Sequence, residues 1–130
     1  MSVTGLNHVN FHGPRALLDA MRDFYRDVVG LTEGPRPPFK MFGYWLYAGG
    51  QPLVHLYEAM PDEARTLGLP ETTFDHVAFS CEEAEEVEAR LARLNVPHRV
   101  TTVPGTTLKQ IFLTDPGGNG VELQFGERSA

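Results

Sequence analysis

The chain alternates apolar and polar positions in short runs and twice breaks into a helical period. Residues 6–11 (LNHVNF) and 74–80 (FDHVAFS) read as strands of period two. In the first, Val9 and Phe11 share one face while His8 and Asn10 share the other; in the second, Val77 and Phe79 oppose His76 and Ala78. A helical pattern follows each strand. Leu17, Met21, Phe24 and Val28 form one apolar stripe, with Pro14 suited to its start and Gly30 to its end. Ala84, Val87, Leu91 and Leu94 form the other, and Ser80 with Glu83 has the spacing of a capping box.

Three further strands are predicted after each helix. They fall near 31–34, 42–48 and 53–58, then near 98–103, 108–114 and 120–125. The segments AGGQP (48–52) and DPGGNG (115–120) carry the residues that tight turns require. The order is βαβββ, twice. The expected fold class is α+β: one domain over residues 1–130, built of tandem modules at about 4–58 and 73–126. A linker at about 59–72, with Pro61, Gly68 and Pro70 and one short helix, joins them. The two modules are expected to lay their sheets side by side as one curved mixed sheet with helices outside. Pro35, Pro37 and Pro38 mark an exposed loop that the second module lacks; such insertions often border ligand sites, although an ordinary surface loop is the commoner case.

The modules also align residue by residue. VHLY at 54–57 lines up with VELQ at 121–124. His55 lies 47 residues after His8, and Glu122 lies 46 residues after His76. Metal-binding residue types therefore occupy both equivalent pairs. Strand parity sends Val54, Leu56, Val121, Leu123 and Phe125 towards the helices. It sends His55, Tyr57, Glu122 and Gln124, with His8 and His76, to the opposite, concave face. Trp45 and Phe112 are equivalent by the same offset; each is either core packing or a cavity wall. Asn10 shares the His8 face and is a candidate substrate contact, as are Tyr57 and Gln124 more weakly. His12 and His98 have no counterpart in the other module and read as structural or exposed histidines.

Composition narrows the classes without choosing among them. At 130 residues, 42% hydrophobic and 22% charged, the chain has the make-up of an ordinary globular domain. A net charge of −6 argues against non-specific nucleic-acid binding, which needs a basic surface. The single cysteine, Cys81, excludes an intramolecular disulfide and a thiolate-rich zinc site; it reads as a small residue near a strand end. There is no signal-peptide pattern and no apolar run of membrane-spanning length, so a cytoplasmic protein with no membrane partner is expected.

Four segments together resemble the vicinal oxygen chelate superfamily, which includes glyoxalase I, extradiol dioxygenases, methylmalonyl-CoA epimerase, and the fosfomycin- and bleomycin-resistance proteins. NHV (7–9) resembles its first-strand metal motif and FYRDVVGL (24–31) its helix-end signature. DHVAF (75–79) resembles the second histidine motif, and FLTDPGGNGVEL (112–123) the closing motif with its carboxylate ligand. The resemblance spans nearly the whole chain and implies the tandem βαβββ fold. It also implies His8, His76 and Glu122 as ligands of a divalent ion: Zn, Ni, Mn, Fe or Co. His55 matches a fourth position, which glyoxalase I and the epimerase fill with Glu or Gln and other members leave unused. It is open to three readings: a ligand, a base beside the ligands, or a neutral polar residue in the cup.

The resemblance implies a small-molecule substrate and a homodimer. The site forms within one chain in some members and is exchanged between chains in others. A metal holding two adjacent substrate oxygens stabilises developing negative charge, and Glu122 or His55 would move the proton. Each named activity departs somewhere from this chain. Classical extradiol dioxygenases carry Tyr ten residues before the carboxylate, where Phe112 stands; glyoxalase I expects a carboxylate at His55; fosfomycin transferases favour Thr where Asn10 stands. The leading expectation is a metal-dependent isomerase or lyase of glyoxalase type. A small extradiol-type dioxygenase comes second, and a metal-free binding protein of bleomycin-resistance type is the alternative from another class.

Overall fold

The computed structural model describes residues 5–59, 74 and 76–126. The chain divides into two compact units, Met1–Pro70 and Glu71–Ala130. Most of the expected linker, with its short helix, lies outside the described residues.

In the first unit β1 (Val9–Gly13) leads into α1 (Arg15–Asp23), and β2 (Thr32–Gly34), β3 (Gly43–Ala48) and β4 (Gln51–Glu58) follow. The sheet order is β1-β4-β3-β2, with β1 parallel to β4 and the other pairs antiparallel. Pro14 sits at the N-cap of α1, as its fixed φ favours. Past Asp23 the helix widens into a π-helical segment, Phe24–Val29, which Gly30 ends in the left-handed conformation at φ 100°. The buried stripe is the expected one only in part. Met21 and Phe24 are buried as expected, while Leu18, Tyr25 and Val29 are buried in place of Leu17 and Val28. They pack with Leu31, Leu46, Val54 and Leu56, all buried. Tyr44 fastens α1 to the sheet, its hydroxyl donating to Asp19 Oδ1 at 2.6 Å.

The β3–β4 hairpin turns on Gly49 and Gly50, both with positive φ, as a two-residue primed turn requires. Just past it the register slips: Leu46 faces Val54 while Tyr47 faces Pro52. β4 thus starts earlier than expected and includes Pro52. Proline has no N–H to give a regular ladder, and a bulge accommodates it.

The second unit repeats the order with β5 (His76–Cys81), α2 (Ala84–Arg93), β6 (Arg99–Thr102), β7 (Lys109–Thr114) and β8 (Gly120–Phe125). Its sheet order is β5-β8-β7-β6, again with only the first pair parallel. Val87, Leu91, Ile111, Leu113, Val121, Leu123 and Phe125 form its core. The expected capping box is absent. Ser80 belongs to β5, and Glu83, at φ 62°, is the N-cap residue without a side-chain cap bond. Leu94 is exposed rather than packed, because the helix ends there and Asn95 turns the chain at φ 55°.

The β7–β8 turn is organised by Asp115, which is buried. Its Oδ1 accepts from the Gly117 and Asn119 backbone N–H groups, both at 2.9 Å, and the Asn119 amide reaches both carboxylate oxygens. The two units share one βαβββ plan, and the fold is α+β. Among the described residues no helix is long and apolar enough to cross a membrane.

Candidate functional site

In the first unit β4 lies between β1 and β3, and its register places Asn10 and Trp45 on either side of His55. Parity holds here: Val54 and Leu56 are buried in the core, while His55 and Tyr57 stand half-buried on the other face. His8 enters just ahead of β1 and is exposed. Its ring lies on His55, centroids 3.9 Å apart and planes 12° from parallel. Trp45 covers the other face of His55 at 4.1 Å, also at 12°. The imidazole of His55 is therefore the middle layer of a three-ring stack.

The hydrogen bonds set what these rings offer. His55 Nε2 donates to the Pro52 carbonyl at 2.9 Å, a contact within the bulged strand, which leaves the Nδ1 lone pair available. His8 Nδ1 lies 2.7 Å from the Asn7 side-chain oxygen, which leaves Nε2. Burial holds the His55 imidazole below its ordinary pKa, aided by the charges of His8 and Arg36 and opposed by the Pro52 carbonyl. His55 is thus biased towards the neutral form, the state that can accept a proton. A metal bond lies in the imidazole plane about 2.0–2.1 Å from the nitrogen. Two parallel rings stacked face to face do not aim at one ion, so this arrangement could offer at most one of His8 and His55 to a metal.

A cavity of about 720 Å³ opens over this face, with His8, Asn10, Trp45, His55, Tyr57 and Arg36 in its lining. Five of the six were named from sequence. Arg36 was not, although the Pro-rich loop that carries it was singled out. His12, set aside from sequence, lies with its ring 5.3 Å from that of Tyr57.

In the second unit the same register sets Phe112 opposite Glu122, with Ala78 on the other side. Glu122 is buried at 7% exposure. Its Oε1 is 3.4 Å from His76 Nε2. Gln110 donates from Nε2 to its Oε2 at 3.3 Å, and Thr101 Oγ1 donates to Gln110 Oε1 at 3.1 Å. The hydroxyl thus fixes which way the amide faces, and the amide fixes the carboxylate. Sequence reading missed both supports, although Gln110 sits two residues before Phe112 on the same strand face.

Phe112 packs edge-on to His76, centroids 6.5 Å apart, and beneath the Arg99 guanidinium at 4.9 Å. With His98 and Arg99 it lines a smaller cavity of about 360 Å³. His98, read from sequence as structural or exposed, is exposed, and it lines this cavity. Gln124 is half-buried, paired with Gln110 across β7 and β8.

The His76–Glu122 pair fits a divalent ion. Two donors at about 2.0–2.1 Å from a tetrahedral centre stand about 3.3 Å apart, and the observed separation is 3.4 Å. The donor set, imidazole and carboxylate, is that of Zn and its first-row neighbours. Within neither unit do three or more His, Cys, Asp or Glu side chains gather among the described residues.

The fold and these paired positions define a known class. Residues 5–123 match the model of the Glyoxalase/Bleomycin resistance protein/Dioxygenase superfamily, and the chain belongs to that superfamily. Among its relatives is Glyoxylase I 4 of Arabidopsis thaliana, 27% identical over 126 residues, or 95% of this chain and 71% of that one. A lactoylglutathione lyase from Agrobacterium tumefaciens shares the fold with a TM-score of 0.68 at 21% identity, covering 97% of this chain and 96% of that one. A fosfomycin resistance protein from Listeria monocytogenes, complexed with Mn(II) and sulfate, does so with a TM-score of 0.64 at 19% identity, covering 96% and 94%.

Proposed function

We propose that this chain is a divalent-metal-dependent enzyme of glyoxalase-like type that binds a small oxygenated substrate and moves a proton on it, as an isomerase or a lyase. The observation that carries this reading is the His76–Glu122 pair, a buried carboxylate aimed by Gln110 at an imidazole 3.4 Å away. The family resemblance adds His8 to this ligand set. A bound ion would act as a Lewis acid towards adjacent substrate oxygens. Glu122, oriented by Gln110, would help hold the ion and would take the substrate proton. His55, biased towards the neutral form by burial and held by Pro52, is the second base, or a ligand in place of His8. Trp45, Asn10 and Tyr57, on the face that carries His55, and Phe112 with Gln124, on the face that carries Glu122, would contact the substrate.

A second reading has its own support. The closed stack of His8, His55 and Trp45 beside a roomy, aromatic-walled cavity suits a metal-free protein that sequesters a flat drug or metabolite. Metal analysis of protein purified without added metal, then reconstituted, separates the two. Stoichiometric uptake of a divalent ion supports the enzyme; failure of the wild type to bind any would end that reading. An extradiol-type oxygenase has less in its favour, since the side chain opposite Glu122 is Phe112, which has no hydroxyl. Oxygen consumption with catechols, set against isomerisation of hemithioacetals, divides the two catalytic chemistries.

A further inference from the structure

We propose that the cavity of the first unit takes a ligand bearing a carboxylate, and that Arg36 is the group that receives it. The inference deepens the small-molecule reading above by naming a substrate class, and it rests on that reading. Arg36 lies in the proline-rich loop between β2 and β3. The loop is pinned: the Tyr47 hydroxyl donates to the Pro35 carbonyl. The guanidinium is bedded on two sides. Its Cζ sits 5.0 Å from the centre of the Phe39 ring. It also lies against the backbone of Gly43, where an added Cβ would come within 2.9 Å of Cζ and 2.8 Å of Nη2.

Despite this fixed bed, the buried Nε of Arg36 has no hydrogen-bond partner. Arginine offers only donors, and a buried donor left without a partner is destabilising. The cavity lining includes no Asp or Glu among the described residues, so nothing in the wall neutralises the charge. A guanidinium held in place beside a cavity suits recognition of a carboxylate through charge-assisted N–H bonds. The neighbouring surfaces describe the rest of the ligand. Phe39, Trp45 and Tyr57 offer flat apolar faces, and Asn7 and Asn10 offer amides. Among the described residues the lining holds one Lys or Arg, which matches a singly charged carboxylate better than a doubly charged phosphate. A small, flat or unsaturated carboxylate fits this wall.

Trp45 is the only tryptophan in the chain and lines the cavity, so its fluorescence reports occupancy directly. Phenylacetate, phenylacetamide and phenyl phosphate would be titrated into chelator-treated and metal-loaded full-length protein, with metal content measured on the same samples. The expected result is saturable quenching by phenylacetate in both forms, with phenylacetamide and phenyl phosphate at least tenfold weaker. Arg36→Gln should raise the Kd for phenylacetate at least tenfold, to that of phenylacetamide, and Arg36→Lys should fall between, with melting curves showing both variants folded. Equal affinity for phenylacetate in wild type and Arg36→Gln overturns the proposal, as do tighter binding of phenyl phosphate and absence of any response in the chelated wild type. Arg36-dependent binding without any metal uptake would sink the metal-enzyme reading and leave this one standing. Full metal loading with Arg36-independent binding would do the reverse.

Discussion

His55 is clamped between His8 and Trp45, with ring centroids 3.9 Å away on one side and 4.1 Å on the other. An imidazole held this way has little rotational freedom, and its Nε2 is already engaged by Pro52. What it contributes to metal or substrate is therefore set by the fold rather than by a free side chain.

This leads to a graded expectation for metal affinity. His8→Ala should lower it most, since His8 is exposed and keeps an Nε2 lone pair. His55→Ala should lower it about tenfold, the effect typical of residues that orient ligands. His98→Ala should leave it unchanged. Competition with a chromophoric chelator measures all three, and equal affinity in His55→Ala and His98→Ala would remove His55 from the site.

The relay from Thr101 through Gln110 to Glu122 predicts a residue effect at a distance. Gln110→Ala removes the amide that holds Glu122 Oε2. Metal affinity should fall about 10–100-fold, as for other lost outer hydrogen bonds. Thr101→Val should act in the same direction but less, because it only frees the amide to turn. Unchanged metal affinity in Gln110→Ala would mean that the carboxylate does not need its support.

The Asp115 turn should matter for stability rather than chemistry. Asp115→Ala strips two backbone N–H groups and the Asn119 amide of their acceptor in a buried setting. Bonds to charged acceptors contribute about 1.5–3 kcal/mol each, not additively, so a loss of about 2–4 kcal/mol is expected. Urea denaturation followed by circular dichroism reads it, and a loss below about 1 kcal/mol would contradict the account.

Cys81 gives a pH-dependent test. Burial pushes its thiol pKa up, against the opposing pull of the Arg90 charge and a backbone hydrogen bond at Gln124. The thiolate is the reactive form. Alkylation of the native protein should therefore be slower than that of the urea-unfolded chain at every pH, and its rise should be displaced to higher pH. Because the folded pKa lies above the unfolded one, Cys81 favours the fold below the unfolded pKa, and that contribution fades as pH climbs through the folded value. Equal labelling profiles would show the thiol to be open.

Much of this was legible in the chain. Alternation fixed the faces of the central strands, so Val54, Leu56, Val121 and Leu123 are buried and His55 and Glu122 share the other face with their neighbours. The repeat offset made Trp45 and Phe112 equivalent, and the register sets each opposite its partner, His55 or Glu122. These features depend on a period of two and on pairing between neighbouring strands, both local properties of a sequence.

Other features were settled only in three dimensions. The π-helical turn at Phe24–Val29 puts Tyr25 and Val29 into the core beside Phe24 and leaves Val28 half-buried, which a regular 3.6-residue stripe does not foresee. Ser80 is held in a strand ladder, so it cannot cap α2. The stacking of His8 on His55, the Thr101–Gln110–Glu122 relay and the bedding of Arg36 on Gly43 and Phe39 all join side chains whose mutual orientation no periodicity encodes. Sequence determined which residue types could meet on each strand face. Tertiary packing decided how their rings, lone pairs and charges point, because orientation follows from the neighbours that close around each side chain.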